Sequence, residues 1–450
     1  MKKNYLKAIA VAAALFVGYT ALGQTTTVIN PDIAFSCNMP DTGEPNNNFI
    51  ALRAAAADRM ASRENPCATI EVTYNNFPSA IPSGPGPQQI AFQLAVDIWE
   101  TLIESPVTIK IDANWIDTGS PNNLGGAAAV YFGELPGNTD NVIYPAPLYD
   151  ALLGFDASPL NADIFCQFNS TRSDWFFPTS LTDDAPPGTF NFTSVVFHEI
   201  GHGLGMAGFG RQSGTNGFIR RIPNGSFQPG NPDNVHTSPW DVFIETAGLF
   251  GPTSILDESQ YPDPSAPLLA QFTSDNLTCN APTAVQKNIE LNFGGPLKTY
   301  APPTFNSGSS YSHWDEATFN GTETALMTPF LGPGEDIYDP GDVTLAFMED
   351  MGWTLCQGSL STEEFTLNQV SISPNPFRSQ IEIDIVNGLN DTYNLELFDI
   401  NGRKVLAQSV TANNGKLELT DLSSLDDALY FLTITNQRSN LSVTQKLIKN

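Results

Sequence analysis

Regular alternation of apolar and polar residues begins near residue 66. Residues 68–77 (ATIEVTYNNF) and 107–116 (VTIKIDANWI) alternate with the two-residue period of a half-buried strand. Between them, residues 88–103 place apolar side chains at helical spacing, and residues 162–169 again resemble a strand. Strand, helix and strand in this order predict the beginning of a mixed α/β domain.

A second helix is predicted within residues 191–209 (NFTSVVFHEIGHGLGMAGF), where apolar residues recur on one face. Asn191, Thr193 or Ser194 can cap its start, because short polar side chains accept hydrogen bonds from the first free N–H groups. Gly205 is a candidate for its end, since glycine adopts the left-handed backbone that often terminates a helix.

The residues after this helix contain many Gly, Pro, Asn and Ser residues up to position 310. Within this loop-rich stretch, 209–310, residues 240–247 (WDVFIETA) have a helical pattern. A further helix is predicted over 339–351, with Asp339 as cap and Pro340 in its first turn.

The C-terminal residues alternate in short segments separated by turn signals such as Asn-Gly. This pattern predicts a small all-β sandwich over residues 367–450, joined by a linker at 358–366. The predicted strands include ISPNPF, IEIDIV, YNLELFDINGRKVL, KLELTDL and ALYFLTIT.

The N-terminal residues are typical of an export signal. Lys2, Lys3 and Lys7 precede an apolar run at 8–22, which is shorter than the ~20 residues of a spanning helix. We therefore predict a signal peptide at 1–24 and an N-terminal extension or propeptide at 25–65. No later segment is apolar enough to predict a transmembrane helix.

Charge and cysteine content limit the function further. The formal net charge of the 450 residues is −28, which argues against nucleic acid as a partner because phosphate binding needs a basic face. The odd number of five cysteines leaves at least one thiol unpaired, and the sequence does not give the pairing. Cys37 could form a disulfide with Cys67, or its thiolate could fill a metal position in a latent precursor.

Residues 198–202 (HEIGH) form an HExxH motif inside the predicted helix. Residues four apart lie on one helix face, so His198 and His202 can bind one metal ion. Glu199 lies beside them and can act as general base, the arrangement of zinc metallopeptidases. HExxH also occurs by chance, but here two of only four histidines fall in the motif.

The motif continues to Gly205 and then resembles the metzincin metallopeptidases, whose helix turns at this glycine before a third ligand. The usual position of that ligand is Gly208, which has no side chain to bind zinc. In the leishmanolysin group the third histidine follows a large insertion, and SHWD around His313 and LMTP around Met327 resemble its late ligand and Met-turn. The resemblance implies an α+β metzincin-like catalytic domain at 66–357, with a twisted sheet, helices and a Met-turn.

His198, His202 and His313 are therefore the expected ligands of one catalytic Zn²⁺, and residues 209–310 are the insertion. Several alternatives for the third ligand remain. His236 lies within the insertion, and a carboxylate of Asp241, Glu245 or Asp315 is the fallback. Asp315 and Glu316 are expected to be solvated loop acids rather than acceptors for an imidazole N–H.

Residues 371–450 resemble the sorting domains of proteins exported by the type IX secretion system of Bacteroidetes. The resemblance rests on ISPNPF, YNLELFDINGRKVL, ALYFLTIT and the terminal TQKLIKN. It implies the type IX secretion machinery as a partner and a secreted or cell-surface location. A carbohydrate-binding or spacer sandwich is the alternative.

These motifs together predict a secreted zinc-dependent metalloendopeptidase that acts on a polypeptide substrate. The alternative is an exported binding or adhesion protein whose zinc site is structural or inactive. Acidic loops are plentiful, but no EF-hand spacing supports a Ca²⁺ site.

Overall fold

The structure is a computed structural model, and it describes most of the chain after residue 65. The described residues are 27–28, 35–38, 66–80, 83–221, 235–247, 251–356, 370–385, 392–399, 403–413, 415–420, 422–436 and 442–450. The predicted signal peptide, most of the 25–65 extension and the 358–366 linker lie outside them. Two compact units are distinguished, Met1–Leu360 and Ser361–Asn450. Among the described residues, no helix is both long and apolar enough to cross a membrane.

The first unit contains eighteen strands and eight α-helices among its described residues. The strands are β1 (Thr27–Val28), β2 (Phe35–Asn38), β3 (Ile70–Asn75), β4 (Ile103–Glu104), β5 (Ile109–Ile116), β6 (Asn123–Ala129), β7 (Tyr131–Glu134), β8 (Ile143–Pro145), β9 (Ile164–Asn169), β10 (Trp175–Phe176), β11 (Phe190–Asn191), β12 (Arg211–Ser213), β13 (Asn216–Phe218), β14 (Ile244–Thr246), β15 (Thr253–Ser254), β16 (Leu277–Cys279), β17 (Leu297–Lys298) and β18 (Thr354–Leu355). The helices are α1 (Pro87–Glu100), α2 (Ala146–Leu153), α3 (Phe192–Gly203), α4 (Pro239–Val242), α5 (Ala266–Phe272), α6 (Pro282–Glu290), α7 (Glu316–Phe319) and α8 (Gly341–Met351), and residues Ala325–Met327 form a 3₁₀ turn.

The main sheet has five strands in the order β2-β6-β9-β5-β3. Strands β3, β5 and β9 are parallel, whereas β6 is antiparallel to β9 and β2 is antiparallel to β6. Helix α3 packs against β6 and β9, and helix α1 packs against α3. The prediction of a mixed α/β domain is confirmed, with several small sheets around this main one.

Helix α3 is buried along its entire length and passes through the core. Its start is capped by Asn191, whose side-chain oxygen accepts a hydrogen bond from the Ser194 N–H at 3.2 Å. The helix ends at Gly203, and Gly205 two residues later has a φ of 117°. Because L-residues other than glycine rarely adopt this conformation, Gly205 allows the chain to turn away from the helix axis.

The predicted helix over residues 240–247 is wrong beyond its first turn. Helix α4 ends at Val242, and the chain continues as strand β14, which pairs with β15 and β16 in a four-stranded sheet. Ile244 and Thr246 are buried and Glu245 is not, the two-residue period of a strand. Helix α8 begins at Gly341, whose N–H donates to Asp339 at 2.9 Å.

A disulfide joins Cys67 to Cys356 across 289 residues of the sequence, with a Cα–Cα distance of 5.8 Å. It links the chain just before β3 to the residue just after β18. The alternative of a Cys37–Cys67 disulfide is therefore wrong. The side chain of Cys37 lies outside the described residues, and Cys166 and Cys279 are buried free thiols.

The second unit is all-β in its described residues, which confirms the prediction of a C-terminal β region. Its strands are β19 (Val370–Ser373), β20 (Ile381–Ile385), β21 (Thr392–Asp399), β22 (Lys404–Thr411), β23 (Lys416–Leu419), β24 (Leu429–Asn436) and β25 (Ser442–Ile448), with a 3₁₀ turn at Leu422–Ser424. They form two antiparallel sheets, β19-β20-β23 and β22-β21-β24-β25, around one apolar core. Asn375 bonds β25 twice, through the Lys446 carbonyl at 3.0 Å and the Ile448 N–H at 2.9 Å.

Candidate metal centre

Three of the four histidines meet in the core of the first unit. His198 and His202 lie one turn apart on α3, and His313 lies in the chain before α7. The Nε2 atom of His202 is 3.0 Å from that of His198 and 3.0 Å from that of His313. The Nε2 atoms of His198 and His313 are 3.4 Å apart. The structure thus brings together the three residues predicted to bind zinc.

The other nitrogen of each imidazole contacts a backbone carbonyl. Nδ1 of His198 lies 2.5 Å from the Leu326 oxygen. Nδ1 of His202 lies 2.7 Å from the Met206 oxygen, and Nδ1 of His313 lies 2.7 Å from the Ser309 oxygen. A carbonyl can only accept, so each Nδ1 carries the hydrogen and each Nε2 presents a lone pair. Three lone pairs therefore face one another, and a shared cation would relieve their repulsion.

The donor set fits a zinc ion. The exposed fractions of His198, His202 and His313 are 4%, 1% and 0%. Burial lowers the pKa of His198 to about 4 and lowers the pKa of His202 and His313 well below the usual value. The other two imidazoles add to this shift at His202, and His198 adds to it at His313. The rings are thus neutral near pH 7, the form that binds metal. Zn–N bonds of ~2.0–2.1 Å at tetrahedral angles separate two nitrogens by ~3.3 Å, close to the distances found.

Gly205 positions the chain that fixes His202. The turn there returns Met206 to the helix end, where the Met206 N–H donates to the Gly201 carbonyl at 3.1 Å. The Met206 carbonyl then accepts from His202. A Cβ at Gly205 would lie 2.9 Å from the ring of Pro145, so glycine is required for space as well as for its φ of 117°.

Gly208, the usual position of the third metzincin ligand, is packed too tightly for any side chain. A Cβ there would lie 2.3 Å from Tyr311, 2.6 Å from Trp240 and 2.8 Å from Asp241. The Gly208 N–H donates to the Ser312 hydroxyl at 3.1 Å, so the residue before His313 lies directly against Gly208. The residue that precedes His313 is thus in contact with the position where most metzincins have their third ligand.

Met327 lies beneath the histidine-bearing helix. It is fully buried, and a Cβ at Gly201, between His198 and His202, would lie 2.9 Å from the Met327 sulfur. The Met327 carbonyl accepts from the Trp314 N–H at 2.9 Å, which fixes the segment beside His313. Met327 is thus buried against the helix that bears His198 and His202, and its role as an apolar floor under a metal stays a prediction.

Glu199 follows His198 directly in α3 and is fully buried. The thiol of Cys166 in β9 lies near it. Burial raises the pKa of Cys166 well above its usual value, and the charge of Glu199 raises it further. Cys166 therefore stays a neutral thiol at neutral pH. A carboxylate at this position can accept a proton from a water near the three Nε2 atoms.

The alternatives for the third ligand lie elsewhere. His236 is buried with its Nε2 atom 3.7 Å from Glu134, and it is not part of the histidine group. Asp241 binds donors of Ser238, Phe209 and Tyr311. Asp315 is buried and caps α7 through Thr318, so the expectation of a solvated acid is wrong for this residue.

Glu316 also departs from the expectation of a solvated acid. It is half-buried, and desolvation by burial raises its pKa to about 7. Hydrogen bonds from Asn320 and Thr328 oppose this shift, and the charge of Glu335 adds to it. Neither Asp315 nor Glu316 accepts an imidazole N–H, because backbone carbonyls do so at all three histidines.

Two narrow clefts flank the centre. One lies beside His198 and is lined mainly by apolar residues of α3 and of the chain from Leu326 to Ile337. The other lies beside His202 and contains the side chain of Arg221. Each encloses about 10 Å³, which is room for one water molecule. The lining residues of the first include Val195, Leu326, Phe330, Leu331 and Ile337.

A second group of potential metal ligands, Asp150, Asp156 and Asp163, lies away from the histidines. The Lys110 ammonium donates to Asp156 at 2.5 Å, and Tyr131 donates to Asp150 at 2.5 Å. Burial raises the pKa of Asp163 to about 6. Protein donors thus already bind these carboxylates, and a lysine supplies the positive charge.

Sequence reasoning missed several residues of the site. The carbonyls of Leu326, Met206 and Ser309 orient the imidazoles. Every residue has a backbone carbonyl, so the residue types at these positions do not indicate this role. Arg221 was also missed; its only signal is an Arg-Arg pair in the insertion of an otherwise acidic chain.

Comparison with known families identifies the C-terminal unit. Residues 371–450 match the secretion system C-terminal sorting domain. This match confirms the predicted sorting domain of the type IX secretion system and implies that machinery as a partner. A sorting domain of this kind directs a protein to the cell surface or outside the cell. No curated protein matches the chain.

Some solved structures are similar to short parts of the chain. A DUF3244 family protein with an immunoglobulin-like β-sandwich from Bacteroides vulgatus is 12% identical, covering 18% of this chain and 85% of its own, with a TM-score of 0.16. PorZ of the Porphyromonas gingivalis type IX secretion system is 17% identical, covering 22% and 14% of the two chains, with a TM-score of 0.17. Latent PorU from the same species is 22% identical, covering 18% and 9%, with a TM-score of 0.16. TM-scores this low define neither a shared overall fold nor a function.

Proposed function

We propose that this protein is a zinc-dependent metalloendopeptidase of the metzincin kind, exported by the type IX secretion system. The observation that carries the proposal is the convergence of three Nε2 lone pairs from His198, His202 and His313, separated by 3.0–3.4 Å. Three protein ligands are the number found at catalytic zinc sites, which keep one position open for water or substrate.

The residues around the centre have distinct roles in this proposal. Zinc held by the three histidines would lower the pKa of a coordinated water to ~7 and polarise the scissile carbonyl. Glu199 accepts the proton of the attacking water and then donates it to the leaving amine. Leu326, Met206 and Ser309 hold the imidazoles in one tautomer through their carbonyls, and Met327 supports the helix from below.

A polypeptide substrate is supported by the position of the sheet edge. Strand β6 packs against α3. Strand β2 pairs with β6 in antiparallel register, with Phe35 opposite Ala127 and Cys37 opposite Gly125. The same edge could bind an extended peptide through main-chain hydrogen bonds. Since β2 belongs to the 25–65 extension and the clefts are narrow, we expect removal or displacement of this extension to open the site.

The rival function is an exported binding or adhesion protein with a structural zinc site. Structural zinc is almost always bound by four protein ligands, whereas this group has three among the residues that the structure describes. The presence of Glu199 also favours the peptidase over the binding or adhesion protein, because a structural zinc site does not need a general base beside its ligands.

The experiment is hydrolysis of casein by the protein as it is secreted, with and without a zinc chelator. We expect hydrolysis that the chelator stops and added zinc restores. Glu199→Gln should retain zinc and lose about 10²–10⁴-fold in turnover, the usual contribution of a general base. Glu290→Gln, a surface change at a side chain that is 47% exposed, is the matched control.

Two results would count against the proposal. A secreted protein that contains zinc but hydrolyses neither casein nor a peptide library would favour the binding or adhesion function. Loss of zinc from the Glu199→Gln variant would make Glu199 a ligand rather than the general base.

A further inference from the structure

The cleft beside His202 contains a buried cation that the zinc chemistry does not use. Arg221 is 1% exposed, and its guanidinium carbon lies 4.2 Å from the centre of the Phe209 ring. Its Nε and Nη1 atoms are buried, and neither has a hydrogen-bond partner in the part of the chain that the structure describes. Arginine is almost never fully buried unless it is paired, and among the described residues no carboxylate hydrogen-bonds to these two atoms.

Asp241 is the nearby acid whose charge acts on Arg221, but other donors already occupy its carboxylate. Burial is the main cause that lowers the pKa of Arg221, and the positive charge of the nearby Arg211 lowers it further. Two cationic side chains therefore lie close together beside this cleft. The donors to Asp241 are the Phe209 N–H at 3.0 Å, the Tyr311 hydroxyl at 2.9 Å, the Ser238 N–H at 2.7 Å and the Ser238 hydroxyl at 2.8 Å.

The main chain holds Arg221 in place. Its N–H donates to the His236 carbonyl at 2.8 Å, and the His236 N–H donates back to the Arg221 carbonyl at 2.9 Å. These two hydrogen bonds fix the backbone of Arg221, and its guanidinium lies over the ring of Phe209. The rest of the cleft wall is mainly apolar and includes Ala128, Ala129, Phe132 and the metal-site residue His202.

We propose that this cleft is a substrate subsite in which Arg221 binds the side-chain carboxylate of an aspartate or glutamate next to the scissile bond. The inference rests on the proposed peptidase function and adds a substrate preference to it. A carboxylate suits the cleft because it supplies the missing anion and two acceptors for a planar guanidinium. The narrow, mainly apolar wall favours a slim carboxylate side chain over a bulky ring.

The first test compares peptide substrates that differ at one position. Otherwise identical peptides carry Glu, Gln or Leu at each position flanking the scissile bond, and kcat/KM is measured with the secreted protein. At one of these positions we expect Glu to exceed Gln by about 10- to 100-fold, the value of a hydrogen bond to a charged group away from water. A Glu-to-Gln ratio near one at every position would overturn the proposal.

Substitution of Arg221 assigns the preference to this residue. Arg221→Met should bring the Glu-to-Gln ratio close to one, and Arg221→Lys should keep part of it because the charge remains. Arg403→Gln, which removes a guanidinium whose side chain is 79% exposed in the second unit, should leave the ratio unchanged. A ratio that survives in Arg221→Met would place the preference elsewhere and contradict the proposal.

A stability measurement separates recognition from a structural role. Replacing an uncompensated buried charge by an apolar side chain is commonly neutral or stabilising. Arg221→Met should therefore have the same Tm as the wild type or a higher one, whereas a clear fall in Tm would mean that Arg221 serves the fold.

Binding gives a readout that does not need hydrolysis. Fluorescence anisotropy with the Glu199→Gln variant should show the same preference for the Glu peptide over the Gln peptide. If no peptide is hydrolysed but the Glu peptide still binds through Arg221, the peptidase function fails and the carboxylate site stands. If hydrolysis occurs without a Glu preference in either assay, the peptidase stands and the Arg221 subsite fails.

Discussion

Replacing His313 by alanine removes one of the three proposed ligands and leaves the other two on α3. The side chain is fully buried, its Nε2 lies 3.0 Å from that of His202, and its Nδ1 donates to the Ser309 carbonyl. The substitution therefore removes one proposed metal bond and the hydrogen bond to the Ser309 carbonyl.

The magnitude follows from zinc sites in general. Structural sites with four ligands bind zinc with ~10–16 kcal/mol, so one ligand contributes about 2.5–4 kcal/mol if the ligands share it evenly. At 1.4 kcal/mol per tenfold, His313→Ala should weaken zinc binding by ~10²–10³-fold. Loss of the hydrogen bond to the Ser309 carbonyl should cost about 0.5–1.5 kcal/mol of folding stability in addition.

Competition with a chromogenic zinc chelator measures the affinity, and His236→Ala is the matched control. His236 is also buried, but its Nε2 faces Glu134 at 3.7 Å rather than the other histidines. We expect this control to retain zinc affinity and casein hydrolysis, while His313→Ala loses both. Loss of zinc in His236→Ala with retention in His313→Ala would refute the ligand assignment.

Three further predictions concern packing, pH and export. Gly208→Ala should lower the free energy of unfolding in urea by ~1–3 kcal/mol, because the added Cβ would lie 2.3 Å from an aromatic carbon of Tyr311. Gly295→Ala is the control and should be neutral, since no atom lies within 4 Å of its Cβ position. Equal urea midpoints for the two variants would contradict this packing. The pKa of Glu316 is about 7 in the folded state against a usual 4.5, so the folded state keeps the proton to a higher pH than the unfolded state does. The free energy of unfolding should therefore fall by on the order of 3 kcal/mol as the pH rises from about 4.5 through 7. Thermal unfolding at pH 5 and pH 8 should show this fall, and Glu316→Gln should largely remove it. A chain ending at Gly358 should fold, bind zinc and cleave peptides in vitro but stay inside its host, and its normal secretion would contradict the role of the sorting domain.

The elements with a strong local pattern could be predicted from the sequence. The histidine-bearing helix has an Asn cap, a continuous apolar face and a terminating glycine within one short stretch, so its start at Phe192 and its turn at Gly205 follow from local chemistry. The strands of the C-terminal unit alternate with clear turn signals between them. Local rules suffice where neighbours in the sequence determine the conformation.

The remaining features depend on contacts between distant residues. Residues 244–246 have a helical pattern, but pairing with β16 makes them a strand. Cys67 bonds Cys356 because the fold brings them together, and 289 residues of separation give no local sign of it. The place of His313 beside His202 could be inferred only from a family resemblance, and the burial of the Arg221 side chain is visible only in the structure.

The most direct test of the central claim is X-ray absorption spectroscopy at the zinc edge on the zinc-loaded secreted protein. The account predicts one zinc per chain with three imidazole nitrogens at ~2.0–2.1 Å and one light oxygen ligand from solvent. In His313→Ala the imidazole count should fall to two in whatever zinc remains bound. A sulfur ligand at ~2.3 Å, or a wild-type site with fewer than three imidazoles, would contradict the three-histidine centre.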